Sequence, residues 1–307
     1  MTINNNPSIN VSSVGIIGCG WLGTELAKSL INKGVNVFAT TRTEERQQQI
    51  LAQGIQCELL NLNAEVTDFD EKADTGTIDK EAIKSIASSQ VFTKENLVIC
   101  ITPQFKKGKK NYPANIKTIL LAAKDKLING NIKKVILISS TGVYKNLSGR
   151  ISEKSVIDLS DDKVKALALA EDYVKQFCPH YTVIRFGGLV GRNRHPGRFL
   201  AGKQDLANAD EKVNLIHQDD AVAIIEANLF KTAVSGIFNG VSDTKSTREV
   251  FYQKAAKSLG LLAPKFLLQN AVSLNNVANK SISNDKIKTE LNYQFIYPDL
   301  AKSFDIY

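Results

Sequence analysis

The sequence predicts an α/β protein built on a doubly wound parallel sheet with helices on both faces. Three observations carry this. The apolar run Val14-Gly15-Ile16-Ile17 passes directly into Gly18-Cys19-Gly20-Trp21-Leu22-Gly23 and then into a helix-like run from Thr24. Short strand-like runs alternate with longer helical ones through the first two thirds of the chain, an order that requires crossovers and hence parallel pairing. The 307 residues are 43% hydrophobic and 23% charged, which suits one large α/β core and a smaller lobe.

Taken in order, residues 14–17 are the first strand. In the G-x-G-x-x-G turn that follows, each glycine has its own task. Gly18 permits the tight exit from the strand, Gly20 lets a pyrophosphate approach the backbone, and Gly23 lets the helix pack close on the strand. The helix, read over 24–33 and ending at Gly34, turns its unpaired N–H groups and positive pole to the phosphates. Strand two is read over 35–40, a helix over 44–53 and strand three over 56–62. Residues 63–77 are polar and acidic and read as a surface loop, and 78–88 as a helix. Strand four covers 97–101, the next helix 115–127 and strand five 134–139. Ser160 is the expected N-cap of a helix reaching Phe177, with Asp161 and Asp162 favourable in its first turn. Strand six covers 182–186. The glycine- and arginine-rich run 188–198 reads as a loop, followed by a strand over 213–217 and helices over 219–229 and 248–259. The closing residues are too few for a large core of their own. The expected division is therefore 12–186 plus 211–238 as a Rossmann domain, 187–210 plus 239–307 as a small C-terminal substrate-side lobe, and 1–11 as a disordered lead-in.

Composition narrows the function. No apolar run approaches the ~20 residues of a membrane span, and the Asn-rich start lacks the basic head and apolar middle of a signal peptide. Cys19, Cys57, Cys100 and Cys178 form no C-x-x-C pair, which fits free thiols in a reducing cytoplasm. With three histidines and no metal-ligand spacing, no metal site is expected. The net charge of +8 is explained by a basic cofactor-and-substrate cleft, and no helix-turn-helix or finger motif points to nucleic acid. A cytoplasmic protein with a small-molecule partner, and neither membrane nor nucleic acid, is expected.

The expected cofactor site comprises Gly18, Cys19, Gly20, Trp21, Leu22 and Gly23, then Ile101, Thr102 and Pro103 beyond strand four, and Ser139 at the end of strand five, because ligands lie across the carboxyl ends of the strands. The tip of strand two reads Ala39-Thr40-Thr41-Arg42-Thr43, without the acid that holds the ribose hydroxyls of NAD. Thr41 can donate to a 2′-phosphate and Arg42 supplies a fixed charge, so NADP is favoured over NAD. The plainer alternative makes Arg42 a solvated charge opening the next helix. Likewise, Lys106-Lys107-Gly108-Lys109-Lys110 either attracts an acidic substrate or is a solvated loop.

Ser139-Ser140-Thr141-Gly142-Val143-Tyr144 after strand five resembles the extended short-chain dehydrogenase/reductases, the NAD-dependent epimerase/dehydratase family. The segments 183–191, 213–220, 236–239 and 280–287 are similar to later family segments, so the resemblance covers about residues 13–300. The glycine turn with Cys19 and Trp21, and the loop 194–199, resemble an atypical, mostly uncharacterised bacterial subgroup. The resemblance implies hydride chemistry at a nicotinamide, with a serine or threonine holding the substrate oxygen. A tyrosine in Y-x-x-x-K exchanges the proton, and the lysine lowers its pKa and holds the nicotinamide ribose. Such enzymes often form homodimers. Ser140 matches the hydroxyl. Aligning the family's Y-x-x-x-K-x-x-x-E on Glu171 puts Lys163 at the tyrosine position and Leu167 at the lysine position.

Tyr173 does not substitute, since it lies about 15 Å further along the helix and roughly 80° off the face. Tyr144 and His195 are the candidate proton donors, with Arg192, Arg194 and Arg198 as substrate ligands. The alternatives are a packed Tyr144, a satisfied His195 and surface arginines. His217 reads as a packed residue ahead of its helix. The expected function is an NAD(P)-binding oxidoreductase or epimerase acting on a small, phosphorylated or nucleotide-linked sugar-like substrate. A catalytically degenerate NADP(H)-binding sensor or scaffold is the alternative.

Overall fold

The computed structural model describes residues 11–62, 80–231, 233–267, 280–302 and 304–307. The predicted loop over 63–77, the start of the helix at 78 and the lead-in before residue 11 lie outside them. Val11, the last residue of that lead-in, is buried, so the packed chain starts earlier than expected.

Strand β1 (Ser13–Ile17) is followed by α1 (Trp21–Asn32), β2 (Asn36–Thr41), α2 (Glu44–Leu51), β3 (Gln56–Leu59) and α3 (Lys80–Ala87). Next come β4 (Asn96–Ile99), α4 (Tyr112–Ile128), β5 (Lys134–Ser140), β6 (Arg150–Ile151), α5 (Asp162–Phe177) and β7 (Tyr181–Phe186). The chain continues as β8 (Gly188–Val190), α6 (Gly197–Leu200), β9 (Leu215–His217), α7 (Gln218–Phe230), β10 (Gly236–Gly240), α8 (Arg248–Ser258), β11 (Ser281–Ile282) and α9 (Asp285–Glu290). Among the described residues, seven strands form one sheet in the order β10-β7-β5-β4-β1-β2-β3. Pairing is parallel, with Ile16 opposite Ala39 on one side and Val98 on the other.

Local chemistry explains the elements. All four residues of β4 and four of five in β1 are buried, as required of strands covered on both faces. Helix α1 buries Leu22, Leu26 and Leu30 along one stripe, the spacing of an amphipathic helix. Thr43 caps α2 by accepting from the Arg46 N–H, and Glu44 and Glu45 sit in its first turn, where the helix dipole favours acids.

Two expectations are corrected. Helix α5 is capped by Asp161 rather than Ser160: the Asp161 carboxylate accepts from the Lys163 and Val164 amides at 2.9 and 3.2 Å. Ser160 is drawn away, its N–H held by Asp158. The run 188–198 is not all loop, because its apolar Leu189 and Val190 pair in parallel with Ile216 and His217. The chain splits into one compact unit of Met1–Ile138, Leu169–Val183 and Ile225–Gly236, and another of Ser139–Ala168, Ile184–Ile224 and Ile237–Tyr307. Residues 139–168 belong with the later chain because β6 pairs with β11 and Tyr144 bonds to Arg185 and Asn239.

In the second unit, Val190, Val213, Leu215, Phe251 and Leu300 form the core, and Phe304 and Tyr307 pack against it. The final stretch of chain is pinned by Asp220. Its buried carboxylate accepts from the Tyr293 hydroxyl and the amides of Ile296 and Tyr297, at 2.6, 2.7 and 3.0 Å.

Candidate functional site

The glycine turn lies in the first unit, and its three glycines differ physically. Gly18 has φ +94°, and a Cβ there would stand 3.0 Å from the backbone of Cys100 and Ile101. A Cβ on Gly23 would stand 2.8 Å from the Gly18 carbonyl. Both are required by protein packing on protein. Gly20 has φ −86°, and its Cβ would meet nothing within 4 Å. It is the N-cap of α1 and has no side-chain cap, so this helix start is an open, electropositive surface that fits a pyrophosphate.

Around the turn, Cys19 and Leu22 are buried, so their side chains pack inward, while Trp21 is half-buried. The Cys19 amide donates to the Thr40 carbonyl at 2.8 Å, and burial pushes its thiol pKa up. The Gly18 amide donates to the Thr40 hydroxyl at 3.4 Å. This brace from β2 was not singled out in the sequence, where Thr40 looks like any β-branched strand residue.

At the tip of β2, Thr41 is only 9% exposed, whereas Arg42 is exposed. The Gln104 carboxamide faces the Arg42 guanidinium, which offers only donors; with the amide turned so that its oxygen is the facing atom, that oxygen accepts from both terminal nitrogens, at 3.2 Å from Nη2. Sequence reasoning missed Arg46, whose signal was its four-residue spacing from Arg42. Arg46 donates through Nη2 to the Thr24 hydroxyl at 2.7 Å and through Nε to the Cys19 carbonyl at 3.4 Å, which places a guanidinium on the glycine turn. Beyond β4, Ile101 and Pro103 are half-buried, and Thr102 and the four lysines of 106–110 are exposed.

The second unit holds the expected reactive groups. Ser140 is half-buried and its Oγ accepts from the Gly142 amide at 3.0 Å, which leaves the hydroxyl proton to donate. Ser139 is buried. Lys163 is exposed. Leu167 is buried, and a Cβ on Gly142 would stand 3.4 Å from its Cδ1. An apolar side chain therefore lines the Ser140 turn from the position aligned with the lysine.

Both expected proton donors are committed elsewhere. Tyr144 is fully buried. Its hydroxyl accepts from Arg185 Nη1 at 2.6 Å and donates to Asn239 Oδ1 at 2.9 Å, and burial raises its pKa. These contacts match the packed alternative for Tyr144, with its hydroxyl proton directed at Asn239. His195 is 7% exposed. Its Nδ1 accepts from the Gly197 amide at 2.9 Å and its Nε2 donates to the Phe304 carbonyl at 3.0 Å. These partners select the neutral Nε2–H tautomer, and burial lowers the pKa. His195 thus ties the Gly197 turn to Phe304 near the C-terminus, as the satisfied-histidine alternative expects. His217 does the same, accepting from the Asp219 amide at 3.2 Å and donating to the Ile306 carbonyl at 3.1 Å.

The three loop arginines are exposed. Arg192 pairs with Asp219 at 3.4 Å and Arg194 lies over the Phe199 ring at 5.9 Å; Arg198 sits in α6. Among the described residues, no group of three or more His, Cys, Asp and Glu residues is placed to hold a metal ion, and no helix is long and apolar enough to cross a membrane.

Comparison with known proteins adds to this geometry. A family model described as NAD(P)H-binding matches residues 18–223. The sequence is 29% identical over 291 residues to Protein YeeZ of Escherichia coli (strain K12), covering 94% of this chain and 97% of that protein. Among solved structures, the UDP-N-acetylglucosamine 4-epimerase of Bacillus cereus superposes with TM-score 0.68 at 16% identity, covering 93% of this chain and 94% of that one. The Bordetella bronchiseptica enzyme WbmG in complex with NAD superposes with TM-score 0.70 at 14% identity, covering 98% and 94%.

Proposed function

Because the chain belongs to the NAD(P)H-binding family and shares the fold of proteins described as an epimerase and an NAD-dependent epimerase/dehydratase, we propose that it binds NADP(H) and acts as a reductase or epimerase on a small sugar-like molecule. The open Gly20 surface, set between two glycines that packing demands, carries this reading. The amides at the start of α1 would hold the pyrophosphate. Arg42 and Arg46 would face the 2′-phosphate; three of the five guanidinium N–H groups of Arg46 are engaged by Thr24, Cys19 and Gln49, leaving two. Thr41, nearly buried, takes the smaller part. When bound, the nicotinamide supplies or accepts hydride. Ser140 donates its hydroxyl proton to the substrate oxygen and so polarises it.

A phosphorylated or nucleotide-linked substrate is supported by exposed Arg192, Arg194 and Arg198. It is also supported by similarly folded proteins whose structures contain UDP-glucose with NAD, or UDP with NAD. The reading includes a homodimer in a reducing cytoplasm, where the four free cysteines stay thiols.

A second reading, a dinucleotide sensor without turnover, is favoured by one set of observations. Tyr144 and His195 are committed and Leu167 replaces the lysine.

Two experiments test these readings. Arg42→Ala should weaken NADP(H) binding about tenfold more than NAD(H) binding, the value of one exposed charge-assisted contact; equal losses by calorimetry would remove the phosphate-reading role. In a metabolite screen followed at the nicotinamide absorbance, Ser140→Ala should lower turnover by about tenfold or more. Unchanged turnover would sink the serine role, and a screen with dinucleotide binding but no turnover would favour the sensor.

A further inference from the structure

We infer that Gln104 is a specificity-determining residue of the cofactor site, holding the Arg42 guanidinium in competition with the 2′-phosphate of NADP(H). This rests on the reading that Arg42 faces that phosphate. Arg42 has donors and no acceptor, and both terminal nitrogens of its guanidinium end on the Gln104 carboxamide oxygen. The holder is fixed. Gln104 has φ +55°, in the left-handed region that side chains other than glycine rarely adopt. The next residue, Phe105, packs edge-on against Tyr112 of α4, with ring centroids 6.5 Å apart. The loop after β4 thus carries an acceptor to the tip of β2.

A neutral amide binds a guanidinium less strongly than a dianionic phosphate does. The phosphate therefore displaces Gln104, and the lost amide contact is subtracted from NADP(H) binding. NAD(H) has no phosphate at this place and leaves the contact standing. Gln104 thereby sets the ratio of the two affinities, which Arg42 alone does not.

Calorimetric titration of NADPH and NADH into the full chain tests this through the ratio of the two dissociation constants. Gln104→Ala should shift the ratio toward NADPH by about threefold. Gln104→Glu should shift it toward NADH by about tenfold, because a carboxylate pairs with Arg42 as the phosphate does. The Gln104→Glu shift should vanish when combined with Arg42→Ala, since coupled residues are non-additive. A ratio unmoved by both variants, or moved toward NADH by Gln104→Ala, overturns the inference. If Arg42→Ala collapses the ratio while Gln104 variants leave it unmoved, only the inference fails; if Arg42→Ala leaves it unmoved, the underlying reading fails too. Should Gln104→Ala not fold, Gln104→Gly suits the positive φ and removes the same amide.

Discussion

Gly20→Val is expected to leave the fold standing and to weaken NADP(H) binding by about a hundredfold. The backbone at Gly20 is extended, with φ −86° and ψ −150°, a negative-φ conformation at the edge of the β region and outside the left-handed region that favours glycine. A Cβ there meets nothing within 4 Å, so the change costs folding only the difference between glycine and valine at an N-cap, about 1 kcal/mol. Binding is another matter. The isopropyl group would stand where the pyrophosphate is proposed to approach the first amides of α1, and losing two charge-assisted contacts is worth about 3 kcal/mol, or about a hundredfold. Gly23→Val is the contrast. Its Cβ stands 2.8 Å from the Gly18 carbonyl, a backbone atom that gives way only if α1 moves. Binding and stability should therefore fall together, the latter by about 1–3 kcal/mol. Thermal melting and calorimetry on the two variants check this. Wild-type affinity in a folded Gly20→Val would mean that the pyrophosphate does not lie on this surface.

The second large effect concerns stability. Asp220→Ala should lower the free energy of unfolding by about 3–5 kcal/mol, because a single carboxylate satisfies three buried or half-buried donors. Those donors are the Tyr293 hydroxyl and the amides of Ile296 and Tyr297. Without them the closing residues lose their anchor, while His195 and His217 still hold the carbonyls of Phe304 and Ile306. Burial raises the Asp220 pKa above the usual carboxylate range, and the three donors pull it back. Asp220→Asn keeps one acceptor oxygen and should lose about half as much. Urea denaturation gives the free energies, and protease cleavage after residue 290 reports on the anchor. A loss below about 1 kcal/mol would show that the carboxylate is not the anchor.

The glycine turn of the candidate cofactor site was legible in the sequence because its signals are local. Gly18, Gly20 and Gly23 fall within six residues, and each task follows from backbone geometry at its own position. Arg42 was legible as the charge at a strand tip. Arg46, Thr40 and Gln104 were not, because each acts through a contact with another element: α2 on the glycine turn, β2 on the same turn, and the β4 loop on β2.

The partners of the expected proton donors were hidden from the sequence for the same reason. Tyr144 looks reactive until Asn239, 95 residues later, accepts its proton. His195 looks like an acid or base until Phe304 takes its Nε2–H, 109 residues later. Leu167 runs the other way. Its position in the helix already told that the lysine was missing, and its burial beside the Ser140 turn followed.

By itself, then, the sequence determined the parallel α/β alternation, the dinucleotide turn and the missing Tyr–Lys pair, since hydrophobic period, turn chemistry and spacing are written along a few consecutive residues. Only the tertiary structure decided which polar groups remain available for chemistry. A buried donor or acceptor must find a partner wherever the folded chain offers one, and for Tyr144, His195 and Asp220 that partner lies 73 to 109 residues away in the sequence.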